Sequence, residues 1–215
     1  MKKHVVCFGD SNTHGYCAQT NGRFDEEQRW PCLLAKKLGD DFLIIEEGLS
    51  GRTTCFDDPI HEGLRGLDSI YSCLMSHEPV DLLILMLGTN DTKERFGSSA
   101  ACIALGLKRL AEKAAAVKDA WRDGEANILI VVPQNIAPEY AQTDIALTMG
   151  RGCAEKSEQL AFEFRKIADL LGCHFLDANE VVSDGPNDVD FMHLTLEGHR
   201  QLADALEGEV REILM

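Results

Sequence analysis

The sequence predicts an α/β fold, a three-layer sandwich in which a five-stranded parallel sheet carries helices on both faces. Three observations lead there. Short apolar runs of strand length alternate five times with stretches of helical periodicity. One run, residues 82–87, has no polar position at all, as a strand covered on both faces requires. Three of the runs end in polar turns that contain glycine: Gly9-Asp10-Ser11, Gly48-Leu49-Ser50-Gly51 and Gly88-Thr89-Asn90-Asp91. In a parallel sheet such turns share one edge, where ligands bind.

Taken in order, residues 5–8 form the first strand, stopped by Gly9. Residues 28–38 place Trp30, Leu33, Leu34 and Leu38 at helical spacing, with Pro31 tolerated in the first turn and Gly39 as terminator. A second strand over 42–47 is followed by a polar loop and a helix near 64–76. After the strand at 82–87, apolar and alanine positions recur with helical period from 99 to 118, and residues 128–132 give the fourth strand, ended by Pro133. Residues 134–150 have no period, as in a lid or binding loop. A helix over 154–171, a short strand over 173–176 and a last helix over 196–214, capped by Thr195, complete one domain of residues 1–215.

Composition narrows the function. A net charge of -15 without clustered Lys or Arg argues against nucleic acid and against anionic membrane surfaces as partners. The Met1-Lys2-Lys3-His4 opening is followed by too short an apolar run for an export signal, and no stretch is long enough to span a bilayer, so a cytoplasmic location is expected. Eight scattered cysteines with no C-x-x-C pair read as reduced, apolar side chains, and no metal or other cofactor is expected.

Ser11 lies just past a strand end and is a candidate nucleophile, although Asp10 and Ser11 could equally shape a turn. Asp190, three residues before His193 in a turn ahead of the last helix, can accept the imidazole Nδ1 proton and leave Nε2 free, the acid-base half of a hydrolytic triad. His14 is a rival base, and His199 is expected on the exposed face of the last helix. Asp10 is expected to shape the serine turn, and Asp91 the third turn. Tyr16, Leu49 and Phe56, with Trp30 and Phe96, lie in or near loops at the active edge and are candidates for an acyl pocket; core packing is the alternative.

Gly9-Asp10-Ser11-Asn12, the Gly51 turn, Gly88-Thr89-Asn90-Asp91 and Asp190-x-x-His193 resemble, in order, the four sequence blocks of the SGNH (GDSL-type) hydrolases, which have a flavodoxin-like fold. Residues 46–54 and 86–93 resemble the arylesterase and acyltransferase branch in particular. The resemblance implies a Ser11-His193-Asp190 triad and an oxyanion hole made by the backbone N–H groups of Ser11 and Gly51 and the Asn90 carboxamide. It implies a small ester as substrate, with short acyl groups favoured. Transfer of the acyl group to alcohols or peroxide and homo-oligomerisation both occur in that branch. Two positions depart from the common pattern: Asn12 stands where leucine is usual, and Glu47 where many members carry asparagine.

Other readings stay open on the residues alone. A carbohydrate O-acetyl esterase or a lysophospholipase would use the same scaffold. A non-catalytic module could cradle phosphate in the Gly9 to Gly15 turn, though it lacks a P-loop ending. A metal-dependent phosphoesterase would need Asp10, Asp91, Asp190 and His193 as ligands.

Overall fold

A computed structural model describes all residues, Met1–Met215. In chain order the elements are β1 (Lys3–Gly9), α1 (Ser11–His14), β2 (Tyr16–Cys17), β3 (Gly22–Arg23), α2 (Trp30–Leu38), β4 (Phe42–Gly48), α3 (Gly66–Ser76), β5 (Leu82–Met86), α4 (Ala100–Ala115), β6 (Ile128–Val132), α5 (Ala146–Met149), α6 (Cys153–Ser157), α7 (Leu160–Leu171), β7 (His174–Asp177), α8 (Ala178–Val181) and α9 (Leu196–Leu214). Strands β4, β1, β5, β6 and β7 form, in that order, the five-stranded parallel sheet that the alternation predicts. Strands β2 and β3 pair as a short hairpin beyond the serine turn.

Strand periodicity divides the core. Val6, Phe8, Leu83, Leu85, Ile130 and Val132 face α3, α4 and α7, whereas Val5, Cys7, Leu82, Ile84, Leu129 and Val131 face α2 and α9. Successive side chains of a strand point to opposite faces, so each buried strand feeds both layers and can hold no polar position. No helix is long and apolar enough to cross a membrane.

The order of the strands positions the site. The chain leaves β1 for β4 on one side and then crosses to β5 on the other, which makes the tip of β1 the switch point of the sheet. The turn after β1 is therefore flanked by the turns after β4 and β5, and Gly9 sits in register with Gly48 on one side and Met86 on the other.

Three stretches differ from the sequence reading. The helix expected over 154–171 is two helices, because the Ser157 hydroxyl bonds back to the Ala154 carbonyl (2.7 Å) and also accepts the Ile136 N–H (3.0 Å). Residues 134–150 are built around a turn at Pro138–Gln142 and the short α5, and Ile136, Tyr140 and Met149 pack with Cys153, Ala154 and Met192 into a separate small core. His199 is fully buried, against the expectation of an exposed face, because α9 packs on α2 along that side.

His199 Nδ1 accepts the backbone N–H of Trp30 (3.3 Å), one of the unpaired donors at the start of α2, and the Phe24 ring meets it edge-on at 5.1 Å. Burial, with a smaller contribution from the charge of His193, pushes its pKa down from 6.5 to about 3. The folded state thus holds a neutral imidazole that the unfolded chain would protonate. Its stabilising contribution is complete above pH 6.5 and is lost as the pH falls toward about 3. The urea midpoint of the native protein should therefore drop more steeply across that interval than that of His199→Gln, whose amide oxygen can still accept from Trp30; equal slopes would remove His199 as the acid-sensitive group.

Candidate active site

Ser11 is the first residue of α1, placed by a capped turn. The Asp10 carboxylate accepts the Asn12 N–H (3.0 Å), the Asp10 carbonyl accepts the His14 N–H (2.8 Å), and Gly15 ends the helix in the left-handed region at φ 83°. Asp10 thus shapes the serine turn, and burial raises its pKa. The first N–H groups of a helix have no partner within it, so the Ser11 amide starts α1 as an unpaired donor.

His193 arrives on the loop between α8 and α9. Asn187 closes this loop: its N–H and its side-chain amide both donate to the His193 carbonyl, at 2.9 and 2.8 Å. One oxygen of Asp190 accepts from the Asn187 amide (2.9 Å) and from the N–H groups of Met192 and His193 (both 3.1 Å). The other accepts from His193 Nδ1 (2.7 Å), which leaves Nε2 to accept from the Ser11 hydroxyl (2.8 Å). Burial alone would raise the Asp190 pKa, but the His193 hydrogen bond and charge, with help from Asn187 and Met192, hold it down to about 2. The structure thus joins Ser11, His193 and Asp190 in one hydrogen-bonded chain.

Asn12 is a site residue whose part the sequence did not reveal. Its carbonyl oxygen accepts the Leu194 N–H (2.9 Å), and its amide donates to the Met192 carbonyl (3.5 Å). It therefore clasps the backbone on both sides of His193. The Tyr16 ring lies 4.6 Å from the imidazole, tilted by 54°.

Gly51 and Asn90 flank the serine. Gly51 has φ 87°, and its N–H makes no hydrogen bond within the protein. The next residue anchors that loop, for Arg52 Nη1 donates to the Gly9 carbonyl (2.9 Å) and to the Glu47 carbonyl, while its guanidinium lies 3.9 Å from the centre of the Phe8 ring. The Asn90 amide donates to Asp10 at 3.4 Å. The Asp91 carboxylate reaches across from its own turn to Thr54, accepting from the N–H (2.9 Å) and the hydroxyl (2.5 Å), and so staples the Gly51 loop to the Asn90 turn. Burial outweighs these bonds and raises the Asp91 pKa to about 6.

Ser11, Tyr16, Gly51, Asn90 and His193 line a cavity of about 570 Å³. Ile60 and Leu64 from the loop before α3, Ile145 and Met149 from the 134–150 stretch, and Met192 give it apolar walls that no sequence period announced. Leu49 and Phe56 do not reach it. Leu49 is 39% exposed, and the Phe56 ring packs against Phe96 at 5.6 Å and over Gly106. Trp30 is a core residue, and His14 is not a lining residue; its backbone rests on Gly48.

The donor set for a metal phosphoesterase does not gather, since Asp190 and His193 bond to each other and the Asp91 carboxylate is turned to Thr54. A different trio, Glu47, Cys73 and His77, brings its ligand atoms within 4.8 Å of one another, outside the cavity. There His77 already bonds to Glu47 at 2.7 Å, and Cys73 packs in the core.

The model of the GDSL-like Lipase/Acylhydrolase family matches residues 7–201. No curated protein matches the chain by sequence. Among solved structures, the native aryl esterase of M. smegmatis superposes with a TM-score of 0.89 at 36% identity, over 99% of this chain and 100% of that one. A carbohydrate acetylesterase from Sinorhizobium meliloti superposes with a TM-score of 0.90 at 34% identity over the same shares. The chain belongs to the GDSL-like lipase/acylhydrolase family and is a carboxylic ester hydrolase.

Proposed function

We propose that the protein hydrolyses small, short-acyl or aryl carboxylic esters through an acyl-enzyme on Ser11. The hydrogen-bonded chain from Asp190 through His193 to Ser11, opening on the cavity, carries this reading. His193 Nε2 takes the Ser11 proton as Oγ attacks the ester carbonyl, and later returns it to the leaving alcohol. Asp190 stays anionic and fixes the tautomer, which its low pKa supports. The N–H groups of Ser11 and Gly51 and the Asn90 amide receive the oxyanion. Water then attacks the acyl-enzyme, activated by the same imidazole; an alcohol or peroxide can take its place. A carbohydrate O-acetyl ester as substrate is the second reading, supported by the similarity to the S. meliloti acetylesterase.

Three outcomes follow. An organophosphonate serine reagent should label Ser11 and abolish turnover of p-nitrophenyl acetate, and Ser11→Ala should lose both label and turnover while its circular dichroism spectrum stays native. Turnover at the wild-type rate in that variant would sink the nucleophile.

Asn90→Ala removes one oxyanion donor. It should raise the barrier by about 2.7 to 4 kcal/mol, seen as a fall in kcat with little change in KM.

Asn12→Leu restores the residue common in the family but leaves the buried Leu194 N–H without its acceptor. Its kcat should fall by about ten- to a hundredfold through misplacement of His193, with phosphonate labelling of Ser11 slowed in parallel. Unchanged rates would make the Asn12 clasp irrelevant to the base.

A further inference from the structure

Lys93 stands apart from the other charged residues of the molecule. It follows the Asn90–Thr92 turn, with its N–H bonded to the Asn90 carbonyl (3.3 Å), and its side chain is only 4% exposed. What exposure it has is to the catalytic cavity, which it lines beside Ser11 and Asn90. The ammonium makes no hydrogen bond to the protein. The carboxylate nearest to it, Asp58, is 3.7 Å away, beyond hydrogen-bond distance, and is held by Arg95, whose Nε and Nη2 donate to its two oxygens at 3.0 and 2.6 Å, and by the Ile60 N–H at 3.0 Å.

A buried ammonium has three donors to satisfy, and leaving them unmet is costly. Water in the cavity can meet them. A substrate that displaces this water must supply an oxygen of its own or lose the interaction.

Charge decides what kind of oxygen it should be. Lys93 and Arg95 face Asp58, and the buried Asp10 and Asp91 also act on the ammonium. Burial pushes the Lys93 pKa down, and Arg95 pushes the same way, while these three carboxyl groups pull it back up. The ammonium thus has carboxyl groups of the protein around it but no hydrogen-bond acceptor, and a neutral oxygen can supply that acceptor without bringing a further charge into the cavity.

We infer that Lys93 is a specificity-determining residue, which donates to a neutral hydroxyl, ether or carbonyl oxygen carried by the substrate beyond its reacting ester group. The inference rests on the ester-hydrolase reading of the cavity and narrows it to oxygen-bearing esters, such as the acetates of polyhydric alcohols, in preference to purely hydrocarbon ones.

Two matched pairs of substrates differ by one ether oxygen in place of a methylene: methoxyethyl acetate against butyl acetate on the alcohol side, and phenyl methoxyacetate against phenyl butyrate on the acyl side. The ratio of kcat/KM within each pair is measured for the wild type and for Lys93→Met, so that the intrinsic reactivity of each ester cancels. In one of the pairs, the preference for the ether ester should fall by about tenfold or more on substitution, the range for a hydrogen bond to a charged donor. Should Lys93→Met not fold, Lys93→Gln is read in the same way, with a smaller fall of about threefold or more. Ratios that are the same in wild type and variant overturn the inference, and so does an equal loss on all four esters, which would place the ammonium on the oxyanion instead. Absence of wild-type turnover on every ester would overturn the underlying hydrolase reading, a result distinct from unchanged ratios.

Discussion

The site depends on a close approach between backbones at the tips of two adjacent strands. In α1, the His14 nitrogen would lie 2.2 Å from a Cβ on Gly48, and a Cβ on Gly9 would meet the Thr13 hydroxyl at 2.0 Å. Neither strand can therefore end in any residue with a side chain while the serine helix holds its place. The parallel register sets Gly9 against Gly48, so the two gaps coincide and α1 drops into the notch between them. Arg52 closes the same junction by bonding to the carbonyls of Gly9 and Glu47. One steric allowance thus fixes the distance from Ser11 to the Gly51 loop.

Around this notch the polar groups are buried as a network, and its electrostatics are finely opposed. Asp10, Asp91, Arg52, Asn12 and Lys93 are all shut away from bulk water. Burial moves the pKa values of the two carboxyl groups up, Asp91 to about 6. Their hydrogen bonds hold the turns beside Ser11, for Asp10 accepts from Asn90 and Asp91 accepts from Thr54 in the Gly51 loop. The carboxyls serve position at a desolvation cost that their hydrogen bonds partly offset.

Local patterns made the sheet readable, and non-local contacts hid the rest. The five sheet strands and most of the long helices followed from apolar pattern, apart from the break after Ser157, because a strand covered on both faces and a helix covered on one leave a clear apolar period. The three turns and the Asp190-x-x-His193 pair were readable for the same reason, since their geometry spans only a few residues. What escaped was set by partners distant in sequence. Nothing near Leu49 or Phe56 says whether the loop turns them toward the cavity or, as happens to Phe56, onto Phe96 and Gly106. His199 is polar on the turn it occupies, and only the packing of α2, which presents the Trp30 N–H, makes its burial tolerable. The departure of Asn12 from the family pattern was visible, but its meaning required the loop 180 residues away that it clasps.

That clasp also explains how His193 can be held firmly on an irregular loop. The loop between α8 and α9 has no ladder of its own beyond a single bridge between Pro186 and Leu194, so its backbone groups must find side-chain partners or water. Asn187, Asp190 and Asn12 supply them, and between them they engage the backbone of Val189, Asp190, Met192, His193 and Leu194. Phe191, in the left-handed region at φ 61°, makes the bend that lets Asp190 reach back to His193. The carboxylate that fixes the imidazole is thus the same one that fixes the imidazole's own backbone. A movement that bends the chain between Asp190 and His193 strains the bond between their side chains, so the orientation of the imidazole and the local shape of its loop are coupled.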